Sequence, residues 1–492
     1  MIAMLRRTQI ILPLLLVLSL AVRIPGIGDS FYGDEAFSLF RDSGKLITDS
    51  EDRFRPLFFS LLYLWKQIGF HGEVGLRLLP LLFGLAQIPV AFFVGKRLGG
   101  ERLARTLALL VACSPILIEF SQELRMYSMV ALVALLQVLT FLRALERPVI
   151  GRWALFVLLG LIGVYTHFHY WIFLACFALS FYRERSSVST WKGIAALATV
   201  VILYLPNLPN FFHFLEVRSG EYITHIPSAL PKLFVAFTVG FNYFELPEQS
   251  LGRAVGLGDM ARNIPLVLLV FIAAGIAIVS FIRLHVKGPR DRVLLLGHEL
   301  FTVPVVLALI ATLVTRQYWL QPKYLIFSAP LALLFMAQSY LALDRTLVRR
   351  ALAVCGGAIV VVALLHFWNP QYYGRREDWR GVTTLLKKEC TDDSALLLLA
   401  SGYRLLNYYW PDARNVTVMA ANPPSKSPTP EYEAELREQL VGKREIFYIR
   451  WDTVQNIADP RDVLPRALSE IAVPVRVIQF NPRFFLYEWR LE

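Results

Sequence analysis

Apolar runs of about 18–20 residues recur along most of this chain, each long enough to cross a hydrocarbon core of roughly 30 Å as a helix. No other feature restricts the fold as much. Composition agrees: 56% of the 492 residues are hydrophobic and 18% are charged, where soluble domains carry roughly 25% charged residues. The expected class is an α-helical polytopic membrane protein. The first run, IILPLLLVLSLAV, follows Arg6 and Arg7 as the core of a signal peptide would, but Arg23 and Pro25 stand where a small-residue cleavage site belongs. It reads as a retained first span.

The formal charge of +12 is a matter of topology. Basic residues cluster in alternate short connections: Lys96, Arg97, Arg102 and Arg105 in one, Arg143, Arg147 and Arg152 in another, Arg345, Arg349 and Arg350 in a third. Such loops are cytoplasmic by the positive-inside rule, so no nucleic-acid partner is implied. Spans are then expected near 8–26, 74–95, 103–119, 124–143, 152–167, 169–183, 191–206, 264–284, 294–314, 323–342 and 351–368, about eleven in all. An odd number puts the N-terminus in the cytoplasm and the tail outside, with the chain in the inner (plasma) membrane. Residues 27–72 form a long first external loop, in which PLFFSLLYLWKQIGF (56–70) is too short to cross and reads as an interfacial helix.

The division expected from this pattern is a transmembrane domain over 1–368, its external loop 27–72 carrying an acidic motif, and a soluble extracytoplasmic α/β domain over 369–492. In the tail DSALLLLAS, NVTVMA and REIFYIRWD read as short buried strands between helical stretches, and VRVIQF–NP–RFFLYEW as a hairpin. The alternation suggests a mostly parallel sheet. The four cysteines form no disulfide framework.

Polar residues gather at the expected external ends of the spans. They are Asp34 and Glu35 in FYGDEAFSLF; Arg53 and Arg55; Glu119, Glu123, Arg125 and Tyr127 in IEFSQELRMYS; His167 and His169 in YTHFHYW; and Arg316, Lys323 and Tyr324 in TRQYWLQPKYL. Ionisable groups at membrane depth are costly and tend to line cavities or pair with one another. Carboxylates, cations and imidazoles at one level suit an anionic, membrane-embedded substrate and a proton abstraction. Each also has a plainer reading as a solvated loop, an ion pair or part of an interfacial aromatic belt. A histidine pair at i,i+2 on a helix does not converge on one ion, so no metal is expected, although Asp34, Glu35, His167 and His169 leave a divalent ion as an alternative. A transporter or lipid flippase is the competing class, but no internal repeat of the kind common in transporters is visible.

The order GDEAF, RPLFFSLLYLWKQIGFHGEVGLRLLPLLFGL, GKRLGGERLA and SPILIEFSQELRMYSM, followed by YTHFHYW, QPKYLIFSAPL and REDWRGVTTLL, resembles the bacterial relatives of the protein O-mannosyltransferases. These are GT-C membrane glycosyltransferases, a class that includes the lipid A aminoarabinose transferases. The resemblance implies a GT-C fold and transfer of a sugar from a polyprenyl-phosphate donor in the bilayer to an extracytoplasmic acceptor, whether glycolipid, polysaccharide or protein. It also implies that Asp34 is the base, supported by Glu35, and that no cofactor is needed. Arg55, Glu123, Arg125, Tyr127, His167, His169, Lys323 and Tyr324 are the expected substrate- and phosphate-binding residues. Two positions depart from the family pattern: Arg55-Pro56 replaces a His-Pro, and Lys323-Tyr324 replaces an Arg-Tyr. The second keeps the charge and loses bidentate geometry.

Overall fold

A computed structural model describes residues 2–39, 54–183, 188–218, 226–240, 275, 292–315, 319–343, 345–369, 377–399, 402–413, 416–419, 429–451, 459, 461–481 and 483–491. They fall into two compact units. The first takes described residues within Met1–Ile27, Arg41–Phe244 and Gly252–Leu365; the second takes those within Gly28–Phe40 and His366–Glu492. The span expected near 264–284, together with Arg53 and Arg316, lies outside the described residues.

The first unit is helical. Four helical stretches are long and apolar enough to cross a membrane: Gly72–Cys113, Tyr127–Glu146, Thr190–His213 and Thr346–Trp368. Shorter apolar helices accompany them at Ile10–Arg23, Ile150–Thr166, Tyr170–Leu179, Glu299–Thr315 and Ile326–Leu341. Only 22% of the most apolar window of Thr346–Trp368 is buried. Val354 and Val361 on that helix are 72% and 56% exposed, a surface that water would penalise and lipid accepts.

Two of the expected spans are arms of one continuous stretch, Gly72–Cys113. It leaves helical geometry at Gly99 and Gly100. Gly100 sits at φ +71, the left-handed region that favours glycine. A side chain at Gly95 would lie 2.8 Å from the Cα of Ala104, so the arms fold back on each other at close range. GKRLGGERLA is thus a helical hairpin. Buried polar groups tie further helices together: Gln87 Nε2 donates to Ser128 O at 3.1 Å, and Gln137 Nε2 to Phe156 O at 3.0 Å. The segment PLFFSLLYLWKQIGF forms the helix Leu57–Gln67, which buries Phe58, Phe59 and Leu62.

The second unit is a five-stranded sheet with helices on both faces. The strands are β1 (Ser394–Leu399), β2 (Val416–Met419), β3 (Glu445–Trp451), β4 (Val473–Asn481) and β5 (Phe484–Arg490), in the order β2-β1-β3-β5-β4. Every residue of β1 is buried, as a central strand covered on both faces requires. Helices Pro430–Gln439 and Val463–Ile471 cover one face through Tyr432, Leu436, Val463, Leu464 and Leu468, which pack on Leu397, Ile446 and Tyr448. Trp379, at the start of helix Trp379–Glu389, packs on Trp451 and Phe484. The expectation of a mostly parallel sheet needs correction. β1 pairs in parallel with β2 and β3, but β5 is antiparallel to both β3 and β4. The final hairpin, joined by a loop too short for a parallel crossover, imposes the antiparallel pairing of β4 with β5.

Candidate active site

In the helical unit, four sequence-distant segments bring buried polar residues together at helix ends. The chain leaves the helix Ile150–Thr166 at His167 and re-enters helix at Tyr170. His167 and His169 therefore occupy a non-helical turn, and their ring centroids are 5.1 Å apart. The objection to convergence assumed a helix there, so the two imidazoles approach more closely than their spacing suggested. Among the described residues, however, no group of three or more His, Cys, Asp or Glu could hold a metal.

Tyr324 lies 27° from parallel to His169 at 4.8 Å and 5.8 Å from His167, and Trp319 meets His169 edge-on at 5.0 Å. Tyr127 lies 6.0 Å from His167, with the Arg125 guanidinium 6.0 Å from the Tyr127 ring. Lys323 Nζ lies 5.9 Å from the Tyr324 ring. Arg55 lies over Phe54, whose ring is 5.9 Å from that of Phe168 between the two histidines. Arg55, Arg125 and Lys323 are all buried. His167 and His169 are buried as well. None of the four ring nitrogens has a hydrogen-bond partner among the described residues. The helices Leu57–Gln67, Tyr127–Glu146, Tyr170–Arg183 and Ala329–Leu341 all begin beside these residues, adding the positive ends of four helix dipoles. The arrangement suits an anion.

Glu123 is buried two residues before Arg125, in a tight turn where Arg125 N donates to Glu123 O at 2.6 Å. The same turn is anchored by Gln122, whose Nε2 donates to Arg23 O at 2.9 Å. Arg23 and Arg77 are fully buried cations that the sequence did not single out. Arg23 Nη1 donates to Ala112 O at 2.7 Å and Arg77 Nη1 to Ile27 O at 2.9 Å. Both tie off carbonyls of the bundle.

Asp34 and Glu35 belong to the second unit, in the short helix Gly33–Leu39. The two carboxylates differ. Glu35 is fully buried, and its Oε2 accepts from Tyr32 N at 3.3 Å, one half of a capping box. Asp34 is half-buried. The backbone around them is held by residues of the C-terminal part of the chain. Gly33 N donates to Glu377 Oε2 at 3.2 Å, and Phe31 N to the Tyr409 hydroxyl at 2.7 Å. Arg380 N donates to Ser30 Oγ at 3.1 Å and Arg380 Nη2 to Gly28 O at 3.2 Å.

Two solved structures match nearly the whole chain. The oligosaccharyltransferase of Archaeoglobus fulgidus, in complex with Zn and sulfate, matches at 14% identity and a TM-score of 0.53, over 97% of this chain and 72% of that one. ArnT from Cupriavidus metallidurans, bound to undecaprenyl phosphate, matches at 13% identity and a TM-score of 0.54, over 96% and 97%. The chain has a GT-C fold. A second A. fulgidus structure, the oligosaccharyltransferase AglB with an inhibitory peptide and a dolichol-phosphate, agrees at a TM-score of 0.51 and 13% identity, over 97% of this chain and 73% of that one. The ArnT and AglB structures hold polyprenyl phosphates. No family model matches the sequence, and no curated protein matches it.

Proposed function

We propose that this GT-C chain is an integral-membrane glycosyltransferase that moves a sugar from a polyprenyl-phosphate donor to an extracytoplasmic acceptor hydroxyl. The observation that carries the reading is the set of three buried cations, Arg55, Arg125 and Lys323, gathered with two unpartnered imidazoles at the starts of four helices. Buried ionisable groups at membrane depth line cavities or pair with one another, and a cluster with this excess of cations and unpartnered imidazoles suits a lipid phosphate presented from within the bilayer. His167 and His169, whose ring nitrogens have no hydrogen-bond partner among the described residues, offer hydrogen bonds to the phosphate or to hydroxyls of the sugar.

In the reaction the acceptor oxygen attacks the anomeric carbon as the bond from that carbon to the phosphate oxygen breaks. Polyprenyl phosphate leaves with one more negative charge, which Arg55, Arg125 and Lys323 stabilise. The acceptor proton passes to the Asp34 carboxylate. Asp34 suits this role better than Glu35, whose carboxylate already caps its own helix.

The test is purified protein in proteoliposomes with undecaprenyl phosphate linked to radiolabelled mannose, glucose or galactose, plus a cell-envelope extract as acceptor. Transfer with release of undecaprenyl phosphate is expected for one donor. Movement of lipid across the bilayer without cleavage of any of the three would favour a flippase.

The proposed orientation places the C-terminal unit outside the cytoplasm of the plasma membrane. Cys390 is a poor reporter, because burial, then Glu445 and Glu389, push its thiol up to about 12, and the thiolate is the reactive form. Val441→Cys, at a position 77% exposed, should react with an impermeant maleimide in spheroplasts. Labelling only after lysis would reverse the orientation.

A further inference from the structure

The C-terminal part of the second unit, from residue 377 onward, has no role in the chemistry above, yet it makes a series of bonds to the segment that carries Asp34. One turn makes most of them. In Glu377-Asp378-Trp379-Arg380, Asp378 caps helix Trp379–Glu389 by accepting from Gly381 N at 2.8 Å. Trp379 is buried against Trp451 and Phe484, which locks the turn onto the sheet. The two remaining residues reach the N-terminal segment: Glu377 accepts from Gly33 N, and Arg380 holds Ser30 and Gly28.

Further contacts close the frame. Phe31 meets Tyr408 edge-on at 5.3 Å, and the Arg404 guanidinium lies over Phe37 at 5.0 Å. A methyl group at Gly33 would come within 2.6 Å of Cη2 of Trp451, so the backbone beside Asp34 lies directly on the indole. Glu377 itself is 2% exposed. A buried carboxylate accepting from a backbone N–H is held in one geometry, and that N–H belongs to the residue preceding Asp34.

We infer that Glu377 is a positioning residue for Asp34, and that the sheet-borne turn 377–380 with Trp451 is the frame that fixes the carboxylate for proton transfer. This rests on Asp34 as the base. A displacement of about 1 Å in a reacting group can cost about 100-fold in rate, so a frame of this kind would be felt in kcat. The donor phosphate is assigned to other residues, so KM for donor would be untouched.

The experiment uses the full-length protein with the undecaprenyl-phosphate sugar that it turns over. Glu377→Ala should lower kcat about 10- to 100-fold with donor KM unchanged. Glu377→Gln keeps an acceptor oxygen for Gly33 N and should recover most of the loss. Amide exchange over residues 30–35 should rise in Glu377→Ala and stay near wild type in Glu377→Gln. Because Glu377 acts through Asp34, adding Glu377→Ala to Asp34→Asn should slow the enzyme no further. Unchanged kcat in Glu377→Ala, a change in KM alone, or multiplicative losses in the double variant would each overturn the inference.

If Glu377→Ala does not fold, Gly33→Ala probes the same frame from the other side. It should lose turnover through the clash with Trp451, and Trp451→Leu in the same chain should restore at least part of it. An unaffected Gly33→Ala enzyme, or a double variant with no recovery, contradicts the frame. Full activity in Asp34→Asn would remove the base itself, whereas an inactive Asp34→Asn beside a normal Glu377→Ala would remove only the frame.

Discussion

The cationic cluster of the helical unit and the acidic segment of the second unit are assembled in opposite ways. Arg55, Arg125, His167, His169 and Lys323 come from segments far apart in sequence. Each lies where a helix begins or ends, so the packing of helices alone brings them together. Asp34 and Glu35 are neighbours in one short helix, but what holds that helix comes from beyond residue 376. The first cluster is the outcome of a bundle; the second is a loop clasped by a separate sheet. On the proposed function, the difference teaches that affinity for the donor and competence for proton transfer would have separate structural supports. They should fail separately under mutation.

The sharpest way to break that comparison is Asp34→Asn, which keeps size and polarity but removes the base. Turnover should fall about 100-fold or more, within the usual range for a general base, while affinity for undecaprenyl phosphate, measured by calorimetry, stays at the wild-type value. Glu35→Gln retains an oxygen for Tyr32 N and should cost less in turnover. Its signature should be a loss of about 1–2 kcal/mol in stability, read by thermal unfolding. If Glu35→Gln is the more damaging to kcat with stability intact, the two carboxylates exchange roles.

Next in size are the cations. Arg55→Ala, Arg125→Ala and Lys323→Ala should each weaken undecaprenyl phosphate binding by roughly 1.5–3 kcal/mol, as removal of a charge-assisted bond does. Unchanged affinity in all three would place the phosphate elsewhere. If one variant instead lost kcat without affinity, the separation between the two supports would blur.

The smallest expected effect is that of a chelator. With two imidazoles and no third ligand of their kind brought to them among the described residues, EDTA should change turnover by less than about twofold. Loss of activity restored by one specific ion would replace the reading of His167 and His169 as partners of the substrate.

The two regions were also unequally legible in the sequence. The cationic cluster announced itself because each member sits beside an apolar run, in motifs such as QELRMY and QPKYL, and the positive-inside pattern assigned them a common side. What the pattern missed was the width of the break in YTHFHYW: spans ending at 167 and restarting at 169 put both histidines on helix ends, whereas the helices stop at Thr166 and restart at Tyr170, leaving the pair in the turn. The GDEAF carboxylates were conspicuous too, being charged residues among aromatics. Their partners were not. Glu377 lies in REDWRG, where it looks like one of several charges before a helix, and Tyr409 and Trp451 read as ordinary core aromatics. A hydrogen bond between residues 33 and 377 leaves no trace in local periodicity. Arg23 entered only as an argument against a cleavage site, whereas it also binds Ala112 O near the end of a helix that is distant in sequence. The sheet was half anticipated: its strands and final hairpin were visible, whereas the antiparallel pairing of β5 to β3 required knowing where the hairpin docks.

The bonds between residues 28–33 and residues 377–409 also set an order of events during synthesis. Asp34 leaves the ribosome hundreds of residues before Glu377, Arg380 and Tyr409. At the residue-by-residue pace of translation, the acidic segment waits for most of the chain to be made before its permanent partners exist. A nascent chain or a prematurely terminated one therefore holds its cations in place while the carboxylate has nothing to seat it. On the proposed function, such a product would retain a lipid phosphate without consuming the sugar attached to it.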